Sequence, residues 1–183
     1  MRVIAGTRRS MPLKTPSGTD TRPTQDRTKE TLFNVLQNDV YGSEFLDLFA
    51  GSGAIGIEAL SRGAAHVTMV ENARNAIACI KENLRFTKFT DDASLIESDV
   101  INALDRLKGH SEFDIIFMDP PYEGGYEEPV FRMLSGMSNV TEDTIIVLEA
   151  SLKLDLDFIE RTGFLVYKIK TYKTNRHIFI RRK

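Results

Sequence analysis

The sequence predicts an α/β protein built on a doubly wound, mostly parallel sheet. Three observations carry that expectation. Apolar runs of strand length alternate with segments of helical periodicity. The run at 113–118 is apolar almost throughout, as a central parallel strand covered on both faces requires. A glycine-rich turn joins the first strand to the helix after it.

The elements follow in order. Residues 5–24 hold Gly6, Pro12, Pro16, Gly18 and Pro23, so this arm is expected to form turns and short strands. From about 25, Leu32, Phe33, Leu36 and Val40 fall at helical spacing. Strands are expected at 45–49, 66–70, 94–96, 113–118, 144–149, 164–170 and 176–181. Helices are expected from the glycine turn to about 62, then over 73–84, 101–107, 126–136 and 154–161. The last two strands, joined by a short turn, pair antiparallel. Residues 1–24 form a basic arm packed on the domain made by 25–183.

The chain has 183 residues and a net charge of −2, with 42% hydrophobic and 27% charged residues. That length supports one folded domain. No apolar run approaches the roughly 20 residues of a membrane span. Arg8 and Arg9 interrupt any signal-peptide core, and the lone Cys79 has no internal disulfide partner. A cytoplasmic monomer without a membrane partner is expected. His66, His110 and His177 are scattered without spaced Cys or carboxylate partners, so no metal is expected. Cys79 reads as a small core residue.

The near-zero net charge hides an asymmetry. Residues 1–29 carry seven basic and two acidic residues, and residues 161–183 carry eight basic and none acidic. The segment between them has a net charge of −15. If the ends meet in space they form a polyanion-binding face; otherwise they are solvated termini.

In this fold class ligands sit beyond the carboxyl ends of the strands. After the first strand, Asp47 to Gly56 contains Gly51, Gly53 and Gly56, a full G-x-G-x-x-G. Such glycines let backbone pass close to a nucleotide-like ligand, or simply make a tight turn. Glu71 ends the second strand, where a carboxylate can accept from both ribose hydroxyls or cap the next helix. Asp99 follows the third strand and can accept from an adenine amine or act as an N-cap. The cofactor candidates are Asp47, Ala50, Gly51, Ser52, Gly53, Glu71, Asn72, Asp99 and Val100.

The fourth strand runs into Asp119-Pro120-Pro121-Tyr122. Two prolines remove two N–H donors and leave outward carbonyls. Beside an aspartate they make an acceptor-only pocket suited to an amino group with two hydrogens, and a tyrosine can stack on a planar base. Accepting both N–H bonds favours a pyramidal nitrogen and frees its lone pair for a methyl donor. A plain Pro-Pro turn is the structural alternative. Glu123, Glu127 and Glu128 are expected in a solvated loop and helix start, with Gly124-Gly125 allowing a lid to move.

The Asp119–Tyr122 segment resembles the D/N-P-P-Y motif of S-adenosylmethionine (SAM)-dependent amino-methyltransferases. The order of glycine loop, Glu71, Asp99 and Asp119 resembles the class I layout. Arg2–Gly6, Leu13–Pro16 and the run Arg22-Pro23-Thr24-Gln25-Asp26-Arg27-Thr28-Lys29-Glu30-Thr31-Leu32-Phe33-Asn34 resemble the bacterial 16S rRNA guanine-N2 methyltransferase family. The resemblance covers nearly the whole chain. It implies a Rossmann-like seven-stranded sheet with a reversed C-terminal hairpin, and SAM as cofactor. It also implies 16S rRNA or the assembling small ribosomal subunit as partner. Asp119, Pro120, Pro121 and Tyr122 are then catalytic, and Arg8, Arg9, Lys14, Arg22, Arg27, Lys173 and Arg176 hold RNA. Two departures, Arg8-Arg9-Ser10-Met11 and Lys173 after Tyr172, touch neither the cofactor loop nor the catalytic motif. Adenine-N6 methylation, a dehydrogenase reading of the glycine loop, and a non-catalytic RNA-binding assembly factor are the alternatives.

Overall fold

The computed structural model describes residues 1–16, 23–121 and 124–183, so Arg22, Tyr122 and Glu123 lie outside the described residues. One sheet contains β1 (Glu44–Asp47), β2 (His66–Glu71), β3 (Ala93–Glu97), β4 (Ile115–Met118), β5 (Ile145–Ser151), β6 (Phe164–Thr171) and β7 (Asn175–Arg182). Their order is β3-β2-β1-β4-β5-β7-β6. β1 to β5 run parallel, while β7 runs antiparallel to both β5 and β6. Strand order reverses between β1 and β4, the switch point at which such sheets open a ligand crevice.

Successive residues of each strand face opposite sides. Leu46, Ile116, Met118, Leu148 and Ile178 pack under α4 (Val100–Leu107), α5 (Glu127–Ser135) and α6 (Asp157–Arg161). Phe45, Met69, Phe117, Val147 and Phe179 pack under α1 (Pro23–Val35), α2 (Ala54–Ser61) and α3 (Arg74–Thr87), together with Val3 and Leu13 of the arm. The central strands are therefore apolar on both faces, and each buried large side chain contributes about 1.5–3 kcal/mol.

The arm departs from expectation. Among its described residues it makes one isolated bridge, Arg2 to Pro12, and a 3-10 turn at Gly6–Arg8, with no longer strand. The two sides are joined by backbone bonds from Ser10 N–H to the Val3 carbonyl, Val3 N–H to the Met11 carbonyl and Leu13 N–H to the Met1 carbonyl, each 2.9 Å. Pro12 has no N–H to add, and Ser10 turns the chain with a φ of 68°. The arm is pinned through polar groups. Glu58, fully buried in α2, accepts the backbone N–H groups of Ile4 (2.7 Å) and Ala5 (3.0 Å). The same carboxylate pairs with Lys29 of α1 at 3.2 Å and Arg62 at 2.8 Å. Lys29 also donates to the Arg2 carbonyl at 2.6 Å. Burial pushes the Lys29 ammonium below its ordinary value, opposed by the Glu58 charge.

Other bounds shift for local reasons. α1 stops at Val35, and Val40 reaches the core through a turn containing Asn38, Asp39 and Gly42, residues that favour turns. β1 ends at Asp47 and β4 begins at Ile115, each shorter than its apolar run. α6 begins at Asp157. Glu127, expected in solvent, is buried at the start of α5, and Cys79 is only half-buried. Among the described residues no helix is long and apolar enough to cross a membrane. None of their His, Cys, Asp and Glu side chains form a group that could hold a metal.

Candidate cofactor and substrate site

A cavity of about 450 Å³ opens at the carboxyl ends of β1 to β4. Its wall includes Gly51, Glu71, Asn72, Asp99, Val100, Asp119, Pro120 and Pro121 among the expected residues, with Phe49, Val70, Ser98 and Tyr126 besides. Asp47, Ala50, Ser52 and Gly53 lie behind that wall. Ala50 donates its N–H to the Val70 carbonyl (3.0 Å), and the Ser52 carbonyl accepts from the Asn83 amide (2.9 Å). These bonds shape the turn from beneath.

Gly51 and Gly53 take φ values of 56° and 78°, which side chains adopt only under strain. The third glycine serves packing. A Cβ on Gly56 would lie 2.5 Å from a Met69 methyl and 2.8 Å from Val67, so its absence lets α2 settle on β2. Glu71 locks the turn from the neighbouring strand. Its Oε2 accepts the Gly51 N–H at 2.8 Å, and its Oε1 accepts the N–H groups of Asn72 and Ala73, each at 2.8 Å. It therefore serves the start of α3 and the glycine turn at once, with lone-pair capacity left for a hydroxyl donor.

Asp99 is the N-cap of α4. It accepts the Asn102 N–H at 3.0 Å and also the Asn102 side-chain amide, and those bonds hold its carboxyl below the usual range. Asp47 is the opposite case. It is buried, and neither carboxylate oxygen has a hydrogen-bond partner among the described residues. Burial raises it to about 7, and the N–H groups of Phe49 and Gly56, outside hydrogen-bond geometry, offset this only in part.

β4 delivers Asp119 to the cavity mouth. Its carboxyl is reachable by solvent but crowded by protein. Desolvation raises it well above the usual carboxylate value, with the charges of Glu149 and then Asp47 adding to the shift. Pro121 accepts the Gly124 N–H at 2.8 Å, closing the loop, while the Pro120 carbonyl makes no hydrogen bond among the described residues. Tyr126 packs edge-on against Phe49 across the cavity, ring centroids 5.5 Å apart.

Two functional candidates escaped the sequence reading. Met118 pairs with Leu148, so Asp119, one residue on, lies level with Glu149, and Glu149 pairs with His177. The three side chains form a transverse row on the α1–α3 face. His177 Nε2 stands 2.9 Å from Glu149 Oε2, and its Nδ1 stands 3.1 Å from the Tyr172 hydroxyl. The Asn175 amide donates to Glu149 Oε1. The usable signal was a carboxylate at the carboxyl end of the fifth strand. It was hidden because β5 continues past Glu149 to Ser151, and because antiparallel β7 brings its beginning, not its end, to the site.

The basic candidates differ in what they pair with. Arg8 donates to the Thr87 carbonyl (2.7 Å) and covers the Phe89 ring, and Lys14 pairs with Glu82. Arg2 pairs with Asp26, and Lys29 is buried. Arg176 bonds the Leu154 carbonyl on the α6 side of the sheet, opposite the arm. Arg9, Arg27 and Lys173 are exposed and make no side-chain ion pair among the described residues. Lys29 and Arg8 are thus engaged within the fold, while Arg2 and Lys14 form ion pairs at the surface.

The family model described as Conserved hypothetical protein 95 matches residues 1–180. The chain is 39% identical over 167 residues to "Putative rRNA methyltransferase YlbH" of Bacillus subtilis, covering 91% of this chain and 90% of that protein. It is 34% identical over 172 residues to "Ribosomal RNA small subunit methyltransferase D" of Haemophilus influenzae, covering 93% and 88%. A solved structure titled "Putative methyltransferase yhhF from Escherichia coli" matches with a TM-score of 0.85 at 30% identity, covering 100% of this chain and 98% of that one.

Proposed function

This chain belongs to the Conserved hypothetical protein 95 family, a class I SAM-dependent methyltransferase family, and on that premise we propose that it methylates the exocyclic N2 amine of a guanine in 16S rRNA. The observation that carries the reading is one shared wall: Asp119, Pro120 and Pro121 line the same cavity as Gly51, Glu71, Asn72 and Asp99. The first group accepts N–H donors. The second is what an adenosine-bearing cofactor needs.

The residues present fit SAM. Asp47 leaves two buried acceptor oxygens unsatisfied beneath the glycine turn, where a cationic group is favoured. Glu71 keeps acceptor capacity for ribose hydroxyls, and Asp99, at the far end of the wall, can take an exocyclic amine. When bound, SAM supplies an electrophilic methyl group.

The protein's own part is orientation. Asp119 and the Pro120 carbonyl accept the two hydrogens of the guanine N2 amine. Pro120 and Pro121 present no N–H that would compete for the lone pair. The nitrogen turns pyramidal and its lone pair faces the methyl group. Asp119, raised in proton affinity by its surroundings, receives the proton the nitrogen sheds. Tyr122 takes the stacking role by its place in the motif, on a base turned out of its surroundings. Arg9, Arg27 and Lys173 reach phosphates from the surface.

The test is transfer of labelled methyl to 16S rRNA and to isolated small subunits, with digestion and mass spectrometry of the product. N2-methylguanosine is expected; N6-methyladenosine would overturn the base assignment. Charge reversal at Arg9, Arg27 and Lys173 together is expected to lower RNA affinity and flatten its salt slope by roughly one unit per lost contact. An unchanged slope removes them from the interface.

A further inference from the structure

The Asp119–Glu149–His177 row has a feature that methyl transfer alone does not require. Asp119, one residue past the end of β4, and Glu149 of β5 follow the paired Met118 and Leu148. The backbones of these strands are spaced about 5 Å apart, and the Glu149 charge acts on Asp119. Unpaired like charges so close repel each other, and the arrangement is favourable when donors come between or beside them. Asp119 has no side-chain hydrogen bond among the described residues and lines the cavity, so its acceptor oxygens are open to donors on a ligand.

Glu149 is not a casual neighbour. Asn175 and His177 hold its two oxygens from β7, and Tyr172 holds His177 from behind. His177 is almost sealed, with 1% of its side chain exposed, whereas Glu149 keeps 17% open. Phe117 packs edge-on against the imidazole and fixes its plane. The carboxylate is therefore fixed in place, part-open, and level with the residue assigned to the N2 amine. Each of its oxygens still has a lone pair beyond those used by Asn175 and His177.

Resting on the guanine-N2 reading above, the geometry points to Glu149 as the residue that selects guanine, by accepting the N1–H of its Watson–Crick edge. On that edge N1–H and N2–H₂ are adjacent donors, so two adjacent acceptor groups, Asp119 and Glu149, match them in order. Adenine presents a bare N1 lone pair at the corresponding place, which a carboxylate repels. His177, Asn175 and Tyr172 act as positioning residues that hold the Glu149 carboxylate at the right angle. A desolvated acceptor left facing another acceptor carries a large penalty, the basis of strong rejection of analogues lacking a hydrogen-bonding group.

The test uses the full-length enzyme and rRNA in which the mapped target guanine is replaced by 2-aminopurine, introduced by ligation. This base keeps the 2-amine but has an N1 lone pair where guanine has N1–H. Wild-type enzyme is expected to methylate guanine over 2-aminopurine by roughly 100-fold in kcat/KM. Replacement by 6-thioguanosine, which keeps N1–H and alters only the O6 acceptor, is expected to be tolerated. Glu149→Gln, whose amide can donate to N1, is expected to bring the guanine to 2-aminopurine ratio within about 10-fold. S-adenosylhomocysteine affinity and melting temperature show whether that variant is folded. If it is not, the wild-type comparison of 2-aminopurine with 6-thioguanosine decides alone. Equal turnover of guanine and 2-aminopurine by wild type overturns the inference, as does a folded Glu149→Gln enzyme that loses both substrates in the same ratio. Failure of the guanine-N2 reading is separate: it shows as a wild-type product other than N2-methylguanosine.

Discussion

Glu71 and Asp119 stand on opposite sides of one cavity, and the fold treats the two carboxylates in opposite ways. Glu71 accepts three backbone N–H groups, from Gly51, Asn72 and Ala73, and so braces the turn it shares with a ligand. Asp119 has no such bond among the described residues and is instead desolvated by the surrounding protein and faced by the charges of Glu149 and Asp47. A carboxylate saturated by backbone is scaffold first and ligand contact second. A carboxylate left without donors and beside like charge holds its interaction energy for what enters. The difference separates holding a cofactor from acting on a substrate.

Removing Asp119 should have the largest effect. Asp119→Ala is expected to lower kcat by at least about 10²–10³-fold, with S-adenosylhomocysteine affinity by calorimetry changed less than about two-fold. A comparable loss of affinity would break the division between the two acids. Glu71→Ala should do the reverse, weakening cofactor affinity on the order of 10–100-fold while kcat at saturating cofactor is largely kept.

Asp47 sharpens the comparison through pH. Its folded value, about 7, lies above the ordinary carboxylate value of 3.8, so the folded state binds the proton more tightly. That contribution is fully present below pH 3.8 and is lost as pH rises through about 7. It amounts to about 4 kcal/mol at most. Melting of the ligand-free protein between pH 5 and pH 8 should show this fall, and Asp47→Asn should flatten it. An equal slope in the variant would mean that Asp47 is not the group titrating. The smallest effect is expected at Asp99, where Asp99→Ala should slightly lower the denaturant midpoint through loss of the α4 cap.

How much of this was legible in the sequence can be judged residue by residue. Each strand and helix was foreseen, because the double burial of β1, β2, β4 and β5 is written as continuous apolar runs and the helices carry one apolar stripe. Gly51, Glu71, Asp99 and Asp119 were legible because a parallel strand ends at the site, so the residue following each strand is the residue to examine. The same reasoning failed at His177, on the antiparallel strand, and at Glu149, which lies inside a strand that continues beyond the site. The pairing of the arm's charges was not legible either. Arg2, Arg8, Lys14 and Lys29 look like a polycation in sequence but are spent on Asp26, Thr87, Glu82 and Glu58. No spacing rule could show this, since those partners are up to 79 residues away.

The sequence alone thus determined the fold class, the order of acids along the sheet edge and the Asp119 motif, because each rests on periodicity or on neighbouring residues. Only tertiary structure decided which charges remain available and which carboxylates stand together. Pairing of β5 with β7 sets Glu149 against His177, and packing of the arm on α2 buries Glu58 with Lys29. Charge and hydrogen-bond capacity act through distances of a few ångströms, and folding sets those distances between residues far apart in the chain.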